Sequence, residues 1–346
     1  MKHAMRLLKP AYRRVGVVID PENNLEKANH ETEFFTASIA DQACDVLTAW
    51  GATPVYWSTR EVLDAACGRR RPPFSALVNF GTGLNRHFRF GQTPMAIEML
   101  ELPYSGPNPF SVMLCRDKHR TKAVVRSVGV QSPRGLLVGS ATSEWVNGIQ
   151  APLFPVIVKP NDLGNSIGIG CNVAYDIDAL RPIVRKLCGE YPEGVLVEQF
   201  IPGLEVTVLM LGTEPERMYC LALVDAKGSR LSDSYYRTFE DKTNSQPSVN
   251  WRFLGDIVDL KEVARIAARA ARCWRILECR DAARFDFRID RTGGIWFIEA
   301  NGQPDLDASC GYVRHINRSC FAGDRNGLVR EYLATFIDRI DGFIAS

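Results

Sequence analysis

Residues 283–301 read ARFDFRIDRTGGIWFIEAN, and this stretch constrains the chain more than any other. Successive side chains of a strand point to opposite faces. In the first arm Ala283, Phe285, Phe287 and Ile289 share one face, and Arg284, Asp286, Arg288 and Asp290 the other. In the second, Trp296, Ile298 and Ala300 alternate with Phe297, Glu299 and Asn301. A hairpin centred between Thr292 and Gly293 sets Asp286 opposite Glu299 and Arg284 opposite Asn301. Opposed side chains have Cβ atoms about 4.5–5.5 Å apart, where like charges destabilise a sheet. A divalent cation reverses that penalty by taking the carboxylates as ligands. Two carboxylates and an amide oxygen form an all-oxygen donor set that suits magnesium, with phosphates and water completing it. Arg284, beside them, is placed to hold phosphoryl oxygens or an oxyanion. The competing reading is a surface hairpin whose charged face meets water.

Val156 to Gly170 (VIVKPNDLGNSIGIG) adds a second feature: Lys159 ends an apolar strand, and Gly164 sits in a polar turn before a second strand-like run, SIGIGC. Glycine lets backbone N–H groups approach phosphate closely, and the lysine adds a point charge. The Walker pattern G-x-x-x-x-G-K-[ST] is absent.

With 346 residues the chain exceeds one ordinary domain. Apolar residues make up 46% and charged residues 24%, and the net charge of +2 gives no push toward nucleic acid or membrane. The arginines at 265, 269, 272 and 275 have the spacing of a solvated helix face rather than a nucleic-acid strip. None of the ten cysteines forms a C-x-x-C pair, so reduced thiols in a cytoplasmic protein are expected. The first 14 residues lack the apolar core of a signal peptide, and no run is long enough to span a bilayer.

Strands are expected at 14–20, 53–57 and 76–80, with a helix over 33–50 stopped by Gly51. This alternation predicts a parallel sheet covered by helices, with ligands beyond the strands' carboxyl ends. Residues 102–109 read as a turn or linker. Further helices are expected at 117–128, 176–187, 260–277 and 326–343, and strands at 194–200 and 204–211. In the 260–277 helix, Leu260, Val263, Ile266, Ala270, Trp274 and Leu277 form the packed stripe. The polar stretch 225–251 reads as a long functional loop.

Four segments in order resemble the D-alanine–D-alanine ligase branch of the ATP-grasp superfamily: LPYSGPNPFSVMLCRDKHRTK (102–122), FPVIVKPNDLGNSIGIG (154–170), VLVEQFIPGLEVTVLMLG (195–212) and the hairpin. The similarity runs from about Glu31 to Leu306. It implies an α/β fold, α+β in the C-terminal half, with a parallel-sheet domain (1–116) and two subdomains (117–200 and 201–346) sandwiching ATP. It also implies a ligase that activates a carboxylate as an acyl phosphate and joins it to an amine. ATP and two Mg2+ ions, replaceable by Mn2+, would be the cofactors, and small amino acid-like carboxylates and amines the partners, in a protein able to form a homodimer.

The roles implied follow the matching positions. Lys118 and Lys159 would bind ATP phosphates under the loop carrying Asn165 and Ser166. Glu198, with the backbone near Gln199 and Ile201, would hold adenine, and Glu205 the ribose. Asp286, Glu299 and Asn301 would bind the metals, and Arg284 would steady the reaction centre. Glu31, with Glu33 close by, resembles the glutamate that meets the first substrate's ammonium group. Tyr235, Tyr236, Arg237 and Lys242 are the candidates to cover the phosphates.

The match weakens at the acceptor side. The family's Glu-Gly-Ser-Ser is here Leu163-Gly164-Asn165-Ser166, and its Thr-x-Pro-Gly-Met is Gly302-Gln303-Pro304-Asp305-Leu306. Asp305 stands at the glycine of the pocket for the second substrate's carboxylate, and Cys310 at a serine. Gln303 and Asp305 are therefore candidate substrate contacts, and a changed amine acceptor is expected; the alternatives are a true D-alanine–D-alanine ligase of cell-wall synthesis and a non-catalytic nucleotide-binding ATP-grasp protein.

Overall fold

The structure, a computed structural model, describes residues 8–20, 35–84, 88–139, 153–170, 172–214, 217–238, 240 and 249–344. The apolar run at 14–19 forms β1 (Arg14–Ile19), the middle strand of a parallel sheet. Its neighbours are β2 (Thr53–Trp57) and β3 (Ala76–Phe80), in the order β2-β1-β3. Between them lie α1 (Ala37–Ala49) and α2 (Thr59–Cys67), the latter started by a reciprocal Ser58–Glu61 capping box. The segment after α1 turns at Gly51, whose φ of 85° favours glycine. The expected start of α1 at 33, together with Glu31, lies outside the described residues.

After α3 (Arg89–Met99) and α4 (Pro109–Arg116), Asp117 caps α5 (Lys118–Ser127) by accepting the Arg120 N–H at 2.8 Å. An antiparallel sheet follows, built of β4 (Gly135–Val138), β5 (Val156–Pro160), β6 (Val173–Ala174) and β7 (Val195–Gln199), in the order β4-β7-β5-β6. Helix α6 (Ile177–Glu190) packs on it, capped by Asp176. The expected strand over SIGIGC does not form among its described residues: 165–168 are turns, and 169–170 form no strand. Asn165, Ser166 and Gly168 take φ of 53°, 59° and 71°, which no strand accommodates. At Gly168 a Cβ would meet Pro160 Cγ at 2.7 Å, so the loop folds tightly over the end of β5.

The largest sheet is antiparallel in the order β10-β9-β8-β11-β12. Its strands are β8 (Leu204–Gly212), β9 (Arg217–Asp225), β10 (Val249–Phe253), β11 (Asp281–Ile289) and β12 (Ile295–Asn301). The expected loop 225–251 is thus shorter, because Trp251 belongs to β10. Helix α7 (Leu260–Ile276) covers the sheet with Ile266, Ala270 and Trp274 buried, followed by buried Leu277. Leu260, expected on that stripe, is 79% exposed, because the first turn of α7 lies beyond the packed face.

Helices α8 (Gly311–Cys320) and α9 (Gly327–Ile344) close the chain. Phe336, Leu333 and Val329 of α9 share one core with Val15 and Val17 of β1 and Ile39 of α1. The end of the chain therefore packs on its beginning. Asp281, fully buried, receives Arg339 of α9 at 2.8 and 2.7 Å and the Gly106 N–H at 2.8 Å, locking three segments together. No disulfide joins the described cysteines. Among the described residues no helix is long and apolar enough to cross a membrane.

Candidate active site

The hairpin β11–β12 pairs Asp286 with Glu299 and Arg284 with Asn301, as its alternation predicts. The route to that register is different. The turn is centred on Thr292, because Ile289 faces Ile295 and the Asp290 N–H donates to Gly294 O at 2.9 Å. Asp290 organises the turn, accepting from Thr292 N and Gly294 N at 2.8 Å and from Trp296 Nε1 at 2.7 Å. A register shift between Asp286 and Phe287 then makes Ile298 an extra residue. Without that bulge Asp286 would face Ile298. The bulge also corrects the expected faces: Phe297 is buried in the core with Phe285 and Phe287, while Ile298 and Glu299 both line the cleft. Lys122 Nζ donates to the Ile298 carbonyl and so braces the bulge.

The cleft has a volume of about 640 Å³ and lies between the four-stranded and five-stranded sheets. One wall carries Lys159, Glu198 and the β7 end, and the other carries Glu205, Arg284, Asp286 and Glu299. Glu198 is 2% exposed and ion-paired with two buried lysines, Lys159 at 2.7 Å and Lys122 at 3.1 Å. Burial alone would raise its pKa; the two ammonium groups outweigh that and hold it below the usual carboxylate range. Burial pushes Lys122 down to about 7 against the pull of Glu198, while Lys159 stays above its ordinary value despite burial because Glu198 and Glu299 favour its charge.

Arg284 donates from Nη2 to Asp286 Oδ2 at 2.9 Å, and stands 3.9 Å from Glu299 Oε1. Thr207 Oγ1 donates to Asp286 Oδ1 at 2.8 Å. Burial works against the charge of Arg284, but Asp286, Tyr312 and Glu299 outweigh it and keep the guanidinium protonated. Its Cζ lies 5.7 Å from the centre of the Tyr312 ring. Asp286 leans on Arg284, while Glu299 stands between Arg284 at 3.9 Å and Lys118 at 3.8 Å, so the two facing carboxylates are set among cationic groups. Among the described residues no group of three or more His, Cys, Asp or Glu converges to hold a metal. Two carboxylates and the Asn301 amide, which faces Arg284 across the hairpin, offer oxygen donors of the kind magnesium takes.

The other residues singled out from the sequence fall in several places. Asn165, Ser166, Gln199, Ile201 and Asp305 line the cleft. Lys118 is buried at the start of α5, where Nζ donates to the carbonyls of Asn161 at 3.4 Å and of Leu163; it lies 3.8 Å from Glu299. Gln303 turns away and donates to the Asn79 carbonyl at 2.8 Å. Tyr236 and Arg237 line the cleft, and Tyr236 OH donates to Gly170 O at 2.8 Å, joining the two loops. Tyr235 accepts from Arg288 through its carbonyl, and Lys242 lies outside the described residues. Lys122 had no assigned part; its signal was its position four residues after Lys118, on the same helix face.

This architecture, three sheets with a cleft between the last two, is that of the ATP-grasp fold. A family model described as D-ala D-ala ligase C-terminus matches residues 138–322, more than half of the chain, and the chain belongs to that family. It is accordingly an ATP-dependent, ADP-forming ligase. A D-alanine–D-alanine ligase of Nitrosospira multiformis is 29% identical over 225 residues, covering 64% of this chain and 68% of that protein. The crystal structure of the Bacillus anthracis D-alanine–D-alanine ligase complexed with ATP has a TM-score of 0.70 at 18% identity, covering 94% of this chain and 97% of that one. The VanG D-Ala:D-Ser ligase of Enterococcus faecalis has a TM-score of 0.67 at 17% identity, with coverage of 94% and 99%. At these identities the two structures speak for the fold.

Proposed function

We propose that the protein joins a small carboxylate to an amine through an acyl phosphate, and that its amine acceptor differs from D-alanine. The observation that carries the reading is the pair Asp286 and Glu299, set face to face beside Arg284 in the cleft. Residues 1–116, 117–200 and 201–346 would act as three units around this cleft. Lys118 and Lys159 would hold ATP phosphates beneath the loop of Asn165 and Ser166. Glu198, with the backbone of Gln199 and Ile201, would frame the adenine and Glu205 the ribose; Glu198, ion-paired with Lys122 and Lys159, would also set the lysines. Magnesium, when held by Asp286, Glu299 and Asn301, would neutralise phosphate oxygens.

A carboxylate is a poor electrophile at neutral pH. In this reading its oxygen attacks the γ-phosphorus of ATP, and the bond to ADP breaks. The amine lone pair then attacks the acyl carbon, the C–O bond to phosphate breaks, and the nitrogen loses a proton to solvent. Arg284 stands where it would steady the tetrahedral oxyanion. Tyr236 and the 163–170 loop would exclude water that otherwise hydrolyses the acyl phosphate.

The changed acceptor is supported by Asp305, whose Oδ2 accepts from Cys310 Sγ at 2.9 Å on the cleft wall. The two departures from the family pattern touch each other. The D-Ala:D-Ser ligase indicates that this fold serves more than one acceptor. The second reading is D-alanine–D-alanine ligation itself, favoured by the names of the sequence relatives. ADP release should be followed with ATP, magnesium and D-alanine alone, and then with a panel of amino acids and small amines. Strong release with D-alanine alone, with D-alanyl-D-alanine as product, decides for the second reading; release that waits for another amine decides for the first. Chelation of magnesium should abolish both.

A further inference from the structure

The acceptor half of the cleft is polarised. At its inner end Asp305 Oδ1 accepts from the Asp307 N–H at 2.9 Å, Oδ2 accepts from Cys310 Sγ at 2.9 Å, and the Tyr312 hydroxyl donates to the Asp305 carbonyl. Thiol and amide donors hold this carboxylate in place, and Asp307 adds negative charge beside it; the Arg284 guanidinium acts on it from beyond ion-pair distance. A second carboxylate docked here would meet like charge; an ammonium group or amine N–H would meet an acceptor.

The outer end is basic. Helix α8 runs along the cleft and contributes Arg314, His315 and Arg318 to its lining. Arg314 and Arg318 are exposed and form no ion pair among the described residues. His315 Nε2 is buried without a hydrogen-bond partner among the described residues, a donor or acceptor waiting for a ligand. Arg252 and Arg318 add positive field at His315, with Asp256 opposing them. With a helical rise of about 1.5 Å per residue, Arg314 and Arg318 stand about 6 and 12 Å along the axis from Cys310.

We propose that the acceptor is an amine with no carboxylate on its amine-bearing carbon and with an anionic group about 6–12 Å away, held by Arg314, His315 and Arg318. The proposal rests on the ligase reading above and narrows its substrate class to ω-amino acids and short peptides. Asp305 selects the amine end and the α8 face the anionic end. An extended dipeptide spans about 7 Å, which reaches Arg314.

Hydroxylamine separates the two levels of the claim, because it traps an acyl phosphate as a hydroxamate whatever the natural amine is. The full-length protein is given ATP, magnesium, hydroxylamine and, one at a time, D- and L-amino acids as donors. With the donor that yields hydroxamate, D-alanine, 4-aminobutyrate, glycylglycine and propylamine are compared as acceptors. Glycylglycine or 4-aminobutyrate should exceed D-alanine in kcat/KM by about a hundredfold, as like-charge rejection implies. In an Arg314→Ala, Arg318→Ala variant the ratio of kcat/KM for that acceptor to that for propylamine should fall about tenfold. In Asp305→Gly, D-alanine should gain relative to both. Hydroxamate formation together with a preference for D-alanine overturns the proposal and leaves the ligase reading standing. An unchanged ratio in the arginine variant overturns the assignment of the α8 face. Absence of hydroxamate from every donor overturns the ligase reading and this proposal with it.

Discussion

Glu198 and Asp305 are carboxylates on the walls of one cleft, and their neighbours drive them in opposite directions. Glu198 lies between two ammonium groups and is held ionised against its burial. Asp305 has a thiol and a backbone amide as partners; burial, helped by the Asp307 charge, raises its pKa against the Cys310 and Asp307 N–H hydrogen bonds and the Arg284 guanidinium. The end that would take the nucleotide is therefore built from charges that answer each other before any ligand arrives. The end that would take the acceptor keeps a carboxylate inside and basic residues at its rim. In the proposed reading, a fixed frame suits a nucleotide that does not change, and an unbalanced one suits selection among amines.

The strongest way to break this comparison is Glu198→Gln. It leaves Lys122 and Lys159 buried without their counter-ion and should cost about 3–5 kcal/mol in urea denaturation. A loss below 1 kcal/mol, roughly that of an exposed pair, would mean that the lysines are not held as a unit. Arg284→Ala comes next. Nucleotide affinity should change little while turnover falls about 10²–10³-fold, as for loss of an oxyanion donor. Unchanged turnover would remove this arginine from the chemistry.

Smaller effects sharpen the contrast. Asp117→Ala removes the cap of the helix that delivers Lys118 and Lys122, and should cost about 0.5–2 kcal/mol. Burial pushes Asp117 up, but the Arg120 N–H, Asn161 and the Arg120 guanidinium win and lower its pKa. Its contribution is thus present above the unfolded carboxylate pKa and fades as pH falls through the folded value, so the variant and the parent should converge in acid. Asp305→Asn should show the reverse on the order of 1 kcal/mol. A raised pKa contributes stability below the unfolded value and loses it as pH rises through the folded one. The variant should then gain on the parent between mildly acid and neutral pH, as read by denaturant midpoints. Parallel profiles would show that Asp305 is not the strained member of the pair.

Much of this site was legible because strand periodicity is local. The alternation in 283–301 placed Arg284 and Asp286 on one face, and that face lines the cleft. The bulge at Ile298 was not legible, since an extra residue is recognised only by what the partner strand offers. The same limit hid the turns at 165–168, where apolar alternation imitates a strand but positive φ values fold the chain back over Pro160. Lys122 was missed for another reason. A lysine on a polar helix reads as solvated until a second element buries it, and the element that does so is the strand carrying Glu198.

The amino-acid sequence by itself determined several of the elements, the family and the chemical type of each group in the site, since these follow from local pattern and from motifs in a fixed order. It also marked residues 302–310, like 163–166, as places where the chain departs from the pattern of the family it resembles. Only the tertiary structure decided which charges meet: that Glu198 pairs with two lysines, that Asp305 meets Cys310, and that α8 turns its basic residues into the same cleft. Those partnerships join residues far apart in the chain, and pairing across space depends on packing that periodicity does not encode.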